Sequence, residues 1–581
     1  MPAHSHAPGR SILKNRMPTY AFLLFCSVFA LVHACAPSEV TKERTEESVT
    51  GETVTESNRE TVDAAGETVA DVQQEQVPEK TLEDTNTTEE RVEYQPDATA
   101  CNIPSQVSDP EAIRTEYGWL VGSKVGNVRV FKGIRFAKAP KGALRWKPPV
   151  APSCWSDVRQ ATSYGAQCPQ VVAANGQVIG DEDCLSLNIW APASATSASP
   201  LPVMFFIHGG GNIGGSSTQA LPNGKLLYNG QYLAERTGVV VVTVNYRLGP
   251  LGFFASSALT KESPDGSAGN YGILDQIAAL KWVKENIKAF GGDADKVMIF
   301  GESAGAVNTC VHVASPLSKG LFHAALMQSG VCTGSTTLKE AENIGAQRIA
   351  KTSCKGKSDT LACLRGLDVT TLLKEMPGSV SLGPARVGNS NALLESFGPV
   401  IDGHVLKSSP LVAIGTGTHN DVPLIVGSNL EEMDLFLTTP VNTPAAYEAI
   451  VKAAYPQLSA ADLQTLLKEY DVNNYPTPRA AAVDLFTDAL FTCSAILTVA
   501  TASKTQTSKV WRYFFQRRAK LPNGEAPARH GVELGYVFRT LVDVPLYTPV
   551  QDDLTLADTM MLYWSNLAKT GSPNTGKVPT L

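Results

Sequence analysis

Residues 296–313, KVMIFGESAGAVNTCVHV, leave this chain few ways to fold. An apolar run at 297–300 reads as a buried strand. It crosses Gly301-Glu302-Ser303-Ala304-Gly305 into a segment with helical spacing. A Gly-x-Ser-x-Gly turn between strand and helix is so tight that side chains two before and two after the serine would clash. Gly301 and Gly305 remove those side chains, so Ser303 sits in strained backbone with its hydroxyl exposed at the carboxyl edge of a sheet. Gly, Ser and Ala are common and such a pentapeptide also matches by chance; the flanking strand and helix, and the motifs elsewhere in the chain, raise this match above that background.

The rest of the chain supplies such a sheet. Residues 203–207 and 239–244 are continuous apolar runs, as expected of strands buried on both faces of a parallel sheet. CLSLNIW at 184–190 alternates as a strand, and VRVFKGIRF at 128–136 reads as a strand pair. Residues 273–290 have helical spacing ended by Gly291-Gly292. Strand, helix, strand, turn, helix is a βαβ series, which predicts an α/β fold: a central, mostly parallel sheet with helices on both faces. Residues 324–327, 424–426 and 510–515 supply later strands. Residues 443–503 are mostly helical and predict a cap over the sheet edge.

The N-terminal hundred residues differ. Arg10, Lys14 and Arg16 precede an apolar run at 20–32, shorter than the roughly 20 residues a spanning helix needs. Residues 1–35 therefore read as a signal peptide, and its end, Val32-His33-Ala34-Cys35, resembles a bacterial lipobox in which Cys35 is lipidated. Residues 36–100 carry 18 acidic and 5 basic residues, a net −13 within a chain of −7, so the remainder carries +6. Rich in Thr, Glu, Val and Gln, that segment cannot bury enough apolar area to offset its chain entropy and reads as a disordered tether, spanning about 45 Å r.m.s.. Residues 101–581 form the globular domain. No basic face suggests nucleic acid as a partner.

A serine hydroxyl needs a base to take its proton. In α/β-hydrolases the order along the chain is Ser, acid, His. Of His312, His323, His404, His419 and His530, only His530 follows the last strands. The acid belongs on a loop after a late strand, and GSNLEE after 424–426 offers Glu431, Glu432 and Asp434, with Asp402 and Asp421 further off. Residue chemistry alone does not choose between the glutamates. His208-Gly209-Gly210-Gly211, directly after the 203–207 strand, is the HGGG form of an oxyanion loop, with the amide of Ala304 as the further donor. The stretch lacks the Lys-Ser/Thr ending of a phosphate-binding loop.

These motifs, with GNYGILDQIAALKWVKENIKAFGGD and FGESAG, EDCLSLN, NYRLGPLGF, GPVIDG and HGVELGYVF, resemble the type-B carboxylesterase/cholinesterase family from about Thr115 to the end. The resemblance implies the α/β-hydrolase fold and selects Glu432 as the acid, by alignment of Asn429-Leu430-Glu431-Glu432-Met433 with the family's NxDEG loop; Met433 replaces the glycine. It implies Gly210, Gly211 and Ala304 as oxyanion donors, Glu302 as the acidic neighbour of the nucleophile and Ser329 as a serine near the triad. It implies disulfides Cys168–Cys184 and Cys354–Cys363, in keeping with an oxidising compartment. Cys101 with Cys154, and Cys310 with Cys332, are candidates for further pairs; Cys493 faces a family partner position held by Met561, so a free thiol is expected there. No C-x-x-C pair points to zinc, and no cofactor is expected.

Three departures bear on substrate and extent. The Cys168–Cys184 loop holds no aromatic, whereas cholinesterases carry there a tryptophan for quaternary ammonium; this argues against choline esters. Asn212 stands where an aromatic is common, which implies a more polar acyl side. The chain stops at Leu581 before the family's usual Trp-Pro-x-Tyr-like tail, as a truncated gene product would. The expectation is an exported serine carboxylesterase, lipid-anchored in a bacterial cell envelope or else secreted. The competing readings are a neuroligin-like binding module without catalysis, and an amidase or peptidase on the same fold.

Overall fold

The computed structural model describes residues 102–333, 335–380, 396–522, 524–576 and 578–580. Residues 1–101, on which the expected signal segment, tether, Cys35 and Cys101 fall, lie outside the described residues. Nine strands form one sheet: β1 Ser123–Val125, β2 Val128–Arg135, β3 Ser186–Pro192, β4 Leu201–Ile207, β5 Val240–Val244, β6 Gly292–Glu302, β7 Ala324–Gln328, β8 Leu424–Asn429 and β9 Val510–Phe515. Their spatial order is β9-β8-β7-β6-β4-β5-β3-β2-β1. From β5 through β4 to β9 every pairing is parallel, and β1, β2 and β3 add an antiparallel flank.

The continuous apolar runs follow from burial on both faces. Val203, Phe205 and Ile207 belong to one core, while Met204 and Phe206 belong to the other. All five are fully buried, and each is worth about 1.5–3 kcal/mol of transfer free energy. Against the first face packs helix α2, Tyr271–Asn286, whose Ile273, Ile277, Leu280 and Val283 lie in that core. Gly291, in the left-handed region (φ 83°), closes the 3₁₀ turn that follows α2. The opposite face is covered by α1, Gly230–Thr237, and by α8, Gln551–Thr570, through Leu233, Trp564 and Leu567.

One local expectation is corrected. Residues 128–136 form no strand pair: β2 runs unbroken from Val128 to Arg135, with a register shift between Phe131 and Ile134 where Gly133 takes φ 64°. The glycine makes a bulge rather than a hairpin turn. The strand expected at 184–190 forms as β3, and every residue of it is buried. Its polar positions form an internal seam: Asn188 Nδ2 donates to Ser217 Oγ and Thr243 Oγ1, and the Gly133 amide donates to Asn188 Oδ1.

The helical region between β8 and β9 comprises α4 Pro444–Ala454, α5 Ala460–Glu469, α6 Pro478–Thr487, a π-helical turn over Asp488–Thr492, and α7 Cys493–Thr505. Tyr447, Val451, Leu466, Tyr470 and Phe486 give it a core of its own. Disulfides join Cys168 to Cys184, Cys310 to Cys332 and Cys354 to Cys363. Cys154 is disulfide-bonded, and so is Cys493, which corrects the expected free thiol.

Candidate active site

Parallel strands deliver their loops to one edge, and the residues singled out by sequence leave the sheet at those carboxyl ends. Ser303 follows β6, His208–Gly211 follow β4, Ser329 follows β7, Glu432 follows β8 and His530 lies in the loop beyond β9.

Ser303 has φ 57° and ψ −124°, outside the regions ordinary residues favour. Such strain costs of order 1–3 kcal/mol and persists only where its surroundings enforce it. Here the Ser303 amide donates to Gln328 O (2.9 Å) in β7, and the Ser303 carbonyl accepts from Ala306 and Val307 at the start of α3, Ala304–Ala314. The two glycines are required by contact. A Cβ on Gly305 would lie 2.0 Å from Ile207 O, and one on Gly301 would lie 2.4 Å from the Gly305 carbonyl.

The glycine loop meets this turn at Gly209, where a Cβ would come within 2.7 Å of Glu302 Oε2 and 3.0 Å of Ser303 Cβ. Among the described residues the Gly210, Gly211 and Ala304 amides donate to no other group. The loop is held from below by the first disulfide loop, because Gly215 N donates to Gln170 Oε1 and Gln170 Nε2 to Gly215 O. His208 is buried, stacks on Tyr246, and is pushed down to about 4 by burial.

The geometry separates the two glutamates. Glu432 is fully buried, and its Oε2 lies 2.7 Å from His530 Nδ1 while its Oε1 accepts from Asn429 N. A carboxylate only accepts, so the proton of that contact sits on Nδ1 and a neutral ring keeps its lone pair at Nε2. Glu431 points away, onto Arg518 and the Ala528 amide. Asp434 pairs with Arg479, Asp402 caps the 404–406 amides, and Asp421 holds Thr507 and Ser508. His530 Nε2 lies 3.0 Å from Glu302 Oε1, off line for a hydrogen bond. Phe436 and Phe491 flank the ring at 4.9 and 5.3 Å, the latter from the π-helical turn, a distortion often found at functional sites.

A third carboxylate, Glu533, is fully buried beneath these groups. Its oxygens accept from Gln328 Nε2 and Asn429 Nδ2, and Trp564 Nε1 donates to Gln328 Oε1. Burial lowers the His530 pKa, but Glu302, Glu432 and Glu533 outweigh it and push the ring up to about 9. Burial, with the neighbouring carboxylates, raises Glu302 and Glu533. Ser329 Oγ is buried without a partner, and Ser329 itself has φ 54°.

Sequence reasoning did not reach Glu533, Gln328, Phe436 or Phe491. The signal for Glu533 was an acid inside the apolar stretch after His530, and for Gln328 a polar end to the apolar run of β7. Asn212 is a correction. It is 3% exposed, exchanges side-chain amide hydrogen bonds with Asn308 (2.9 and 3.3 Å) and accepts from Tyr246 Oη. Its side-chain polarity is taken up by partners inside the protein, against the expectation of a polar group offered to the acyl side.

The model of the carboxylesterase family matches residues 109–580. The chain is 35% identical to a fumonisin B1 esterase of Sphingopyxis macrogoltabida, over 82% of this chain and 86% of that protein. It is 33% identical to a para-nitrobenzyl esterase of Bacillus subtilis (strain 168), over 81% and 91%. A solved PNB esterase structure superposes with a TM-score of 0.67 at 31% identity, covering 81% of this chain and 92% of that one. The strained serine turn thus stands on an α/β-hydrolase fold with esterase relatives along nearly the whole described length, and the chain belongs to the carboxylesterase family, the hydrolases of carboxylic esters.

Proposed function

We propose that this enzyme cleaves its ester through an acyl-enzyme intermediate on Ser303. His530 Nε2 takes the hydroxyl proton as Ser303 Oγ attacks the acyl carbon. Glu432 fixes the tautomer and stabilises the imidazolium that forms. The amides of Gly210, Gly211 and Ala304 donate to the oxyanion, each worth about 3–4 kcal/mol in the transition state. Collapse expels the alcohol, which receives the proton from His530, and water then repeats the sequence to release the acid. Glu302 and Ser329 line the base and the serine turn without entering the bond changes.

The observation that carries this reading is the Glu432–His530 contact beside a strained serine turn, with the Gly210, Gly211 and Ala304 amides unpaired among the described residues. A fluorophosphonate should label Ser303, and Ser303→Ala should lose roughly 10⁵–10⁶-fold in kcat. Labelling mapped to another serine sinks the assignment. The named relatives act on fumonisin B1 and on para-nitrobenzyl substrates; for this chain the substrate class is a small-molecule carboxylic ester other than a choline ester, because residues 168–184 offer no aromatic face to a quaternary ammonium. A screen of p-nitrophenyl esters, an anilide and a peptide tests ester against amide preference. Export with lipidation at Cys35 is part of the same proposal, motivated by the short apolar run ending in Ala34-Cys35. Mass spectrometry of the native N-terminus checks it, and an unmodified start elsewhere rules it out.

A further inference from the structure

Adjacent residues Glu431 and Glu432 serve two different loops. Glu432 turns inward to His530. Glu431 turns outward and closes a reciprocal pair with Ala528: its amide donates to Ala528 O at 3.0 Å, and Ala528 N donates to its Oε2 at 2.9 Å. Arg518 lays its guanidinium fork on the same carboxylate, Nε on Oε2 at 3.0 Å and Nη2 on Oε1 at 2.7 Å. Ala528 is fully buried and stands two residues before His530. The acid loop and the base loop are therefore joined one residue and two residues away from the groups that must meet.

The geometry points to Glu431 and Arg518 as a positioning pair for the ester hydrolysis: their fork clamps the 528–530 loop to the acid loop and so sets the Glu432–His530 contact. This rests on the triad proposed above. Arg518 is 46% exposed and Glu431 19%, and ion pairs that open to solvent add little to stability. What such a bidentate contact adds is direction, which a lysine, as a point charge, does not reproduce. Misplacement of a catalytic group by an ångström costs up to about 10²-fold. The ring is faced by carboxylates Glu302, Glu432 and Glu533 and by the apolar edges of Phe436 and Phe491. Loosening the clamp weakens chiefly the Glu432 contact, so the imidazolium loses support.

The test uses the full chain with Arg518→Met, Glu431→Gln, Arg518→Lys and, in parallel, Glu432→Gln, each normalised to fluorophosphonate-titrated sites. Arg518→Met and Glu431→Gln should lower kcat about 10-fold with KM little changed. They should also move the acid limb of kcat/KM to lower pH, and Arg518→Lys should recover only part of the rate. Unfolding midpoints should stay near wild type. Wild-type kcat and pH profile in both variants, with Glu432→Gln crippled, overturn the clamp alone. So does a loss that appears only as fewer titratable sites or a lower midpoint. A harmless Glu432→Gln instead overturns the triad on which the clamp depends.

Discussion

Glu302 Oε1 stands 3.0 Å from His530 Nε2, the ring nitrogen opposite the one that Glu432 holds. The imidazole is thus sandwiched between two buried carboxylates, with Glu533 as a third beneath. Each favours the charged ring, and their mutual repulsion favours a proton somewhere in the cluster. In the proposed mechanism, the arrangement that would stabilise the imidazolium of the transition state also stabilises it in the resting enzyme.

With His530 as the proposed base, this sandwich should set the pH dependence. A base must be neutral to act, and an unperturbed histidine would lose activity below a pKa of about 6.5. With the folded value pushed up, protonation sets in at higher pH, so the acid limb of kcat/KM should be centred above 6.5. Glu302→Gln removes one of the charges that raise it and should move the limb downward. A limb at or below 6.5 in the wild type, or one unmoved by Glu302→Gln, would contradict this electrostatic account.

Much of the site was legible because its demands are local. Gly301 and Gly305 announce a contact that only a missing Cβ allows, and His530 is the last histidine after the strands. The choice between Glu431 and Glu432 was not local. It depends on which carboxylate turns toward a loop a hundred residues away; the family alignment selects Glu432, and Glu432 is the one that lies against His530. Asn212 misled for a related reason: a polar residue in a motif says that a partner exists, not that the partner is substrate. Glu533 escaped because a buried carboxylate is recognisable only through Gln328 and Asn429, which arrive on other strands.

Gly305→Ala should be severely disruptive. The new Cβ would meet Ile207 O at 2.0 Å and His208 O at 2.8 Å, both backbone atoms of the central sheet edge. Neither can swing aside as a side chain would. Overpacking of this kind costs about 1–3 kcal/mol or more, and urea unfolding should register it together with loss of fluorophosphonate labelling. An alanine variant with wild-type stability and labelling would mean that the serine turn is looser than these contacts allow.

The Cys310–Cys332 disulfide ties α3, whose first residue is Ala304, to the segment that follows β7 and carries Ser329. Its 22-residue separation corresponds to about 3 kcal/mol in the loop-entropy account. Replacing both cysteines by alanine should lower stability by roughly that amount, measured by denaturant unfolding. Both residues are buried, at 0% and 2% exposure, so mild reductant should leave the native enzyme's rate unchanged. Rapid inactivation by reductant without unfolding would show that the bridge is reachable.

Asn212 offers a test that separates packing from specificity. If its side chain lined the acyl pocket, Asn212→Leu would alter preference among acyl chains and leave stability nearly intact. In this fold the side chain is bonded to Asn308 and Tyr246, and the backbone stands at φ 56°, a conformation asparagine tolerates better than leucine. Leucine keeps the volume but strands the Asn308 amide in the interior, and an unpaired buried donor costs about 1–3 kcal/mol. The backbone conformation adds about 1 kcal/mol or more for a branched apolar residue. The expected result is therefore a loss of about 2–4 kcal/mol in unfolding free energy. The ratio of kcat/KM between a short and a long p-nitrophenyl acyl ester should stay near wild type. Replacing Asn308 as well, by leucine, should recover part of the stability, because the two amides then disappear together and no donor is left behind. A changed acyl preference in a fully stable Asn212→Leu enzyme would return the residue to the substrate pocket.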